Sequence, residues 1–579
     1  MLGHIFRTKP LRVIRAEEYL QDLPRTLSLF DLVCIGVGGT VGSGVFATTG
    51  DIISGVAGPA AVISWGLAGL LCAVNALAYM ELVTRVPSSG STYAYAYHAL
   101  GELPAVIAAW LLTLEYGMSG AGVTRSWSDK MVEWLSGDYP SKDFRWLNAE
   151  HTNMLAALLM ALCVGVLLIG VRFGTLFVNT VTGIKVAVVL FIIVGGLALS
   201  DMSNFTPFVP PREEATSAYG WQGVISGASL AFFGYVGFDE VCCLAAEAKN
   251  PRATMPIAVI AAVTITMLLS ALASLALSGM ADFHDATSFP VGFKTQGANW
   301  AATIVRAGEI ITMPVGALIG FLAQPRLNYA LACDGLMPRI FARVDAKSNL
   351  FINTFITGSL FVVICFSVPF STMWDIVNSG ILLNFVLGNA SLLVVRTRKH
   401  SPRKAPIAIG ALVLCALAAA FTYQKGYDNV AAADRSAATL VVALVFVVGT
   451  VLACAYLAAC CPQEELEPDI YRAPLVPYLP ALSILGDFYM MAQLSDLGLQ
   501  LTFAWIGAAL VFYFCYGYSN SAGRSGWAAL LQIQSHPTTG DHHDIIEGRK
   551  EARASAMSTQ LSASEMLSPV ATKFQAHHT

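Results

Sequence analysis

Between Leu29 and Ile53 the chain places five glycines, Gly36, Gly38, Gly39, Gly42 and Gly44, within nine residues of an apolar run long enough to cross a bilayer. Each interior glycine weakens a helix by roughly 1 kcal/mol relative to alanine, so this stretch is poorly suited to one continuous membrane helix. Inside lipid, non-helical backbone is tolerated only where it is buried in protein or lines a cavity, because its freed N–H and C=O groups need partners. The carboxylate and amine of a ligand would serve. The competing expectation is that the glycines only permit close packing of intact helices.

The surrounding chain supports a membrane setting. Of 579 residues, 55% are hydrophobic and only 12% charged, where a soluble domain carries about 25% charge. Apolar runs recur at about fourteen places, which predicts an all-α integral membrane protein. The net charge of −4 gives no footing for nucleic-acid binding. The organisation expected is a cytoplasmic segment over 1–28, five spans over 29–200, five over 221–396, four more over 405–518, and a polar, disordered cytoplasmic tail over 519–579. Arg7, Lys9, Arg12, Arg15 and Arg25 precede the first span, and Arg396, Arg398, Lys399, Arg403 and Lys404 follow the tenth, which places both ends inside. No cleavable signal is visible, so the first span directs insertion. The twelve cysteines suggest neither disulfides nor a metal site, and the tail pair His542-His543 reads as solvated chain. Asn204-Phe-Thr206, followed by Pro207, is a candidate glycosylation sequon in an outer loop.

A second interrupted span lies at Ser229 to Glu240, where Gly234 and Gly237 stand beside the acids Asp239 and Glu240. Two glycine-broken helices at corresponding positions of two five-helix halves are the sequence mark of a secondary transporter. An odd number of spans per half gives the halves opposite topology, so a five-plus-five inverted repeat is expected, with the ligand between spans one and six.

Several motifs carry a resemblance: Gly36 to Phe46, Arg85-Val-Pro-Ser-Ser-Gly-Ser-Thr-Tyr93, Glu115-Tyr-Gly, Arg125-Ser-Trp127, Phe232 to Asp239, Glu247 with Lys249-Asn-Pro251, Pro325 to Ala330 with Asp334-Gly335, and Tyr471 to Pro480. Together they resemble the cationic amino acid transporter family of the amino acid-polyamine-organocation superfamily, over about Asp31 to Ser519. The resemblance implies the LeuT-like inverted repeat with extra C-terminal spans, and amino acid transport. The chain departs from that family at Ala246, at Phe351 and at Thr312-Met-Pro-Val-Gly316, where sodium-ligating hydroxyls are scarce and Pro314 is expected to kink the helix.

An ionisable group at the centre of a membrane helix costs roughly 2.5–3.5 kcal/mol, so each one needs a reason. Glu115 matches the family's third-span acid; attraction of a cationic substrate, proton coupling and a purely structural bond to backbone are the readings open to it. Asp239 gates a pathway, pairs with substrate or stabilises freed N–H groups. Lys185, in the fifth span, resembles a lysine that stands in proton-coupled relatives where sodium-coupled ones hold an ion. Glu309, in span eight, adds to cation preference or reaches solvent.

The expected mechanism is alternating access. Backbone N–H groups of Gly42, Ser43 and Gly44 receive the α-carboxylate, helped by a helix N-terminus, and carbonyls around Phe233, Gly234 and Tyr235 receive the α-amino group. Glu115 and Glu309 supply negative charge, and Phe232 and Phe233 act as gates. The substrate expected is arginine or lysine, moved without sodium and with protons as the candidate coupling ion. A neutral amino acid or polyamine carrier and an amino acid sensor are the alternatives. No enzyme activity, cofactor or metal is expected, since His98, His151 and His284 are scattered without a catalytic motif. A plasma membrane is preferred over a vacuolar or lysosomal one.

Overall fold

The computed structural model describes residues 5–527 apart from 15–24, 42, 89, 139–143, 150, 170–174, 213–217, 346–348, 430–434, 466–467 and 469. The described chain is helical almost throughout. Ser28 opens the first helix with a reciprocal capping box to Asp31, which satisfies two donors at its end. That helix, α1 (Leu29–Thr40), stops at Val41, whose ψ of 132° is extended, and α2 (Ser43–Ile52) resumes beyond Gly42. The broken first span is therefore present.

There follow α3 (Ala61–Arg85), a short connecting helix α4 (Thr92–Ala99), and α5 (Glu102–Thr113), which passes through a π turn at Leu114–Met118 into α6 (Ser119–Asp138). A two-residue hairpin pairs Asn148 with Asn153. Its Asn153 Oδ1 accepts from the Ala156 backbone N–H and so caps α7 (Met154–Ile169). The first half ends with α8 (Thr175–Ala198). The sixth span is broken as expected: α9 (Gly220–Ala231), a 3₁₀ turn at Phe232–Tyr235, then α10 (Glu240–Cys243). Next come α11 (Pro251–Met280), the short helix α12 (Phe289–Thr295), α13 (Asn299–Cys333), α14 (Phe351–Ser367) and α15 (Phe370–Thr397). Pro314 and Pro325 both lie inside the single helix α13. The C-terminal helices are α16 (Lys404–Tyr423), α17 (Ala437–Cys460), α18 (Tyr478–Ala492) and α19 (Asp496–Phe512).

Among the described residues, ten stretches are long and apolar enough to cross a membrane, the first of them containing both α1/α2 and α3; α7 and α14 are shorter apolar helices. Two packing groups emerge. One joins α1, α3, α9 and α11; the other joins α6, α7, α13 and α14. Helix α8 touches both, through α1, α11 and α13, and α15 bridges to α3, α18 and α19. Helix α17 buries only Ala443, Thr450, Cys454 and Leu457, a single helical stripe that packs on α16.

The ends are tied in. Residues 519–527, expected to begin a disordered tail, are folded instead, because Ser521 Oγ donates to Glu102 Oε2 at 2.5 Å and Trp527 packs on Tyr97 with ring centroids 5.9 Å apart. The rest of the tail, including His542 and His543, lies outside the described residues. Lys9, ahead of α1, pairs with Asp334 at 2.7 Å, and both side chains are buried. Asn204 is only partly exposed, and its Nδ2 donates to the Gly279 carbonyl at 2.8 Å.

Candidate functional site

The two breaks meet. A Cβ added to Gly44 would sit 2.0 Å from Gly234 Cα, so the start of α2 and the 3₁₀ turn touch backbone to backbone, a contact that any larger residue at position 44 prevents; a Cβ on Gly234 would instead strike the Trp65 ring at 2.4 Å. The glycines of the first span thus serve both a break and close packing; the two expectations are not exclusive. Gly42 lies outside the described residues; of Ser43 only the backbone, at the first position of α2, is described. The N-terminal turn of α2, which holds Gly44, thus stands at the junction of the two spans.

Two acids meet between the third span and the chain just past the second break. Glu115 sits within the π turn, fully enclosed; its Oε2 accepts from Asn384 Nδ2 at 3.3 Å while Oε1 has no partner among the described residues. Asp239, 1% exposed, lies within hydrogen-bonding reach of the Glu115 carboxyl. The N–H groups of Gly237, Asp239 and Glu240 face its carboxyl, yet neither oxygen completes a hydrogen bond of good geometry. Two carboxyl groups in contact, out of water and without a basic partner, require a proton or a cation between them.

The aromatic residues divide. Phe233 packs edge-on against Phe370 at the start of α15, with centroids 5.8 Å apart, and Phe370 stacks in turn on Trp374. Phe232 instead faces Phe385, deeper in α15, where Tyr79 and Phe238 join the cluster. Tyr235 is held away from the junction, its hydroxyl donating to the Trp65 carbonyl at 2.7 Å.

Lys185 reaches from α8 to donate to the Gly38 carbonyl at 2.7 Å and is 1% exposed. It thus touches the last turn before the first break, away from the two acids. Glu309 does not reach solvent: it is 1% exposed and pairs with Lys130 of α6 at 3.1 Å. Its charge is offset within the second packing group.

Other motif residues do structural work. Arg125 donates to the carbonyls of Cys365 and Phe366, and Trp127 to that of Ile310, tying α6 to α14 and α13. Glu247 pairs with Arg326 at 3.0 Å, and its carbonyl accepts from the Leu27 N–H. Sequence reasoning missed Glu81, which Arg396 grips through Nε at 2.6 Å while the Ala473 N–H donates to its other oxygen. It also missed Asp487 of α18, bonded to Asn75 Nδ2 at 2.8 Å. A charged residue inside an apolar run was the available signal for both.

The amino acid permease family matches residues 27–452, and a second model describing the C-terminus of such permeases matches 471–521. The chain belongs to the amino acid permease family. Among its relatives, a methylthioribose transporter of Bacillus subtilis (strain 168) is 35% identical over 416 residues, covering 70% of this chain and 88% of that protein. Cationic amino acid transporter 4 of Mus musculus is 29% identical, covering 89% of this chain and 90% of that protein. The branched-chain amino acid permease BcaP of Bacillus subtilis (strain 168) is 31% identical, covering 90% and 99%. This permease is thus a multi-pass membrane transporter in a family whose members differ in what they carry.

Proposed function

We propose that this permease carries cationic amino acids, arginine or lysine, by alternating access without sodium. The observations that carry the reading are the contact of Gly44 with Gly234 and, in the chain just past the second break, the approach of Asp239 to Glu115, two carboxyl groups with three oxygens unpartnered among the described residues. The α-carboxylate of the substrate takes the N–H groups opening α2, those of Ser43 and Gly44. The α-amino group takes carbonyls freed by the 3₁₀ turn. The two acids then receive positive charge.

The two packing groups suit a rocking mechanism, in which α1, α3, α9 and α11 move against α6, α7, α13 and α14, with 29–200 and 221–396 as the inverted repeats. Phe233 against Phe370 serves as the outer closure, and Phe232 against Phe385 lies on the inner side. Lys185 supports sodium independence, because its ammonium already occupies the Gly38 carbonyl that a cation beside α1 would use. Proton coupling through Lys185 or through the Glu115–Asp239 pair follows from the same arrangement. The plasma membrane is the proposed location.

A second reading, a neutral substrate, has one specific support: similarity to a branched-chain permease and to a methylthioribose transporter. Radiolabelled uptake into proteoliposomes decides. Arginine and lysine are expected to enter and to compete with each other, with no change when sodium is replaced by choline. Uptake of leucine with no competition by arginine overturns the cationic reading; binding without counterflow indicates a sensor.

A further inference from the structure

A buried acid among the C-terminal helices has no part in the mechanism above. Asp487 of α18 is fully enclosed; its Oδ1 accepts from Asn75 Nδ2 of α3 at 2.8 Å, and its Oδ2 has no partner among the described residues. Asn75 Oδ1 accepts in turn from Asn389 Nδ2 of α15 at 2.6 Å. Three helices thus meet at one run of polar side chains. The glycine beside each outer member keeps the seam tight: a Cβ on Gly486 would stand 3.1 Å from Leu71 of α3, and one on Gly388 would stand 3.0 Å from the Tyr79 ring of the same helix.

Every amide hydrogen in this run is committed. The second hydrogen of Asn75 goes to the Leu71 carbonyl and that of Asn389 to the Phe385 carbonyl. Those carbonyls fix which way both amides face, because a flipped amide would set oxygen against oxygen. Two acceptors are left over, Asp487 Oδ2 and Asn389 Oδ1, and the Ser483 hydroxyl, one turn back on the same face of α18, is also unpartnered among the described residues. Burial and the Asn75 bond are the influences on Asp487, with no lysine or arginine among them. An ionised carboxylate held by one amide in such an interior is strongly unfavourable, whereas a proton on Oδ2 removes the charge and supplies the missing donor.

The groups around the seam leave that proton to Asp487. The titratable side chain facing it is the Cys72 thiol of α3, which is also within electrostatic reach of Glu115 and Asp239. Helices α9 and α17, which also pack on α18, carry no charged residue, and α16 carries only Lys404 at its first position. The charges of α3 and α15 stand at helix ends and are engaged there, Glu81 and Arg85 with each other and with Arg396, and Asp375 with Ser495. In the turn after α16, Lys425 pairs with Asp496 and Asp428 accepts from Gln222.

We propose that Asp487 is a proton-binding site, remote in sequence from both breaks, whose proton fastens α3 to α15 and α18 in this conformation. Its coupling to movement rests on the rocking reading above. Helix α3 belongs to the group that rocks, so its departure carries Asn75 away from Asp487 and parts the seam. Water entering there accepts the proton from Oδ2 and solvates the carboxylate, a group that is ionised in water at neutral pH. The fastened state holds one more proton than the parted one, so acid favours the first and alkali the second.

Asp487→Asn imitates the protonated acid, since its amide donates where the proton did, and the full chain purified in detergent tests occupancy. The infrared difference between parent and variant at pH 7 is expected to show the C=O stretch of a neutral carboxylic acid, and the variant to melt at least as high as the parent. A carboxylate band at pH 7, a variant that melts lower, or sodium or potassium raising the melting temperature of the parent alone at constant ionic strength overturns the proton site. Should the variant fail to fold, Asn389→Ala is expected to shift the parent's neutral-acid band, and an unshifted band overturns the site. Proteoliposomes test coupling, with arginine or leucine, whichever the parent takes up. The ratio of maximal rates, variant to parent, is expected to fall about three-fold or more from pH 6 to pH 8, with KM changed less than about two-fold because the substrate junction is untouched. A ratio independent of pH overturns the coupling and leaves the proton site to stand on the infrared result.

Discussion

Gly44 and Gly234 touch backbone to backbone across the middle of the molecule, leaving no room for even one methyl group between the first and sixth spans. Gly44→Ala would place its Cβ 2.0 Å from Gly234 Cα, which forces the two broken helices apart. The expected cost is about 1–3 kcal/mol of stability with loss of transport beyond it, because the N–H groups of α2 and the carbonyls of the 3₁₀ turn no longer face one ligand. Thermal unfolding in detergent and substrate uptake measured on the same preparation check both parts.

Lys185→Met removes the donor to the Gly38 carbonyl and leaves that buried oxygen unsatisfied. Uptake is expected to fall at least about ten-fold, and the difference between uptake at pH 5.5 and at pH 7.5 to flatten. A variant that keeps the parent's rate and pH response removes Lys185 from the coupling step. Rescue by sodium in the variant, absent in the parent, would mark the ammonium as a stand-in for the ion.

The grip of Arg396 on Glu81 joins the C-terminal ends of α3 and α15 with both side chains enclosed, 1% and 0% exposed. Glu81→Gln strands a buried guanidinium, and the expected destabilisation is about 3–5 kcal/mol. The Ala473 N–H also loses its charged acceptor, so the loop leading into α18 should become open to limited proteolysis. Combining it with Arg396→Met should cost less than the sum of the two single changes.

Stability should also respond to acid through His98, in the connecting helix α4. Burial, reinforced by Arg398 and Arg85 and partly offset by the bond to the Lys9 carbonyl, holds the imidazole below its ordinary pKa of 6.5. The folded chain therefore binds fewer protons there than the unfolded one, and stability falls as the pH drops below 6.5 toward the depressed value. His98→Asn should flatten the fall in melting temperature between pH 7 and pH 5.5.

Much of the architecture was legible because membrane spans are long and apolar and because glycine marks a break. Helix α17 begins and ends at the residues the apolar run indicated, Ala437 and Cys460. Both interruptions stand where Gly36 to Gly44 and Gly234 to Gly237 placed them. What the sequence hid was pairing at long range. An acid such as Glu81 in an apolar run announces that it needs a partner, but nothing local says that the partner is Arg396, 315 positions away. Glu309 likewise looked free for substrate or solvent until Lys130 was found against it.

Asp334 accepts from Lys9 before the first span and from Tyr93 in the connecting helix, while its carbonyl takes the N–H of Ala522 beyond the last. The consequence concerns synthesis. The segment made first cannot be sealed until α13 has been inserted, and its site is not finished until the chain has been made past residue 522. The N-terminal segment can meet the connecting helix early, since the Lys9 N–H donates to the Tyr97 carbonyl and His98 bonds the Lys9 carbonyl, but the buried Lys9 ammonium has no carboxylate until Asp334 is made. Truncations near Ala522 should therefore be recognised as incomplete even though every membrane helix is already in place.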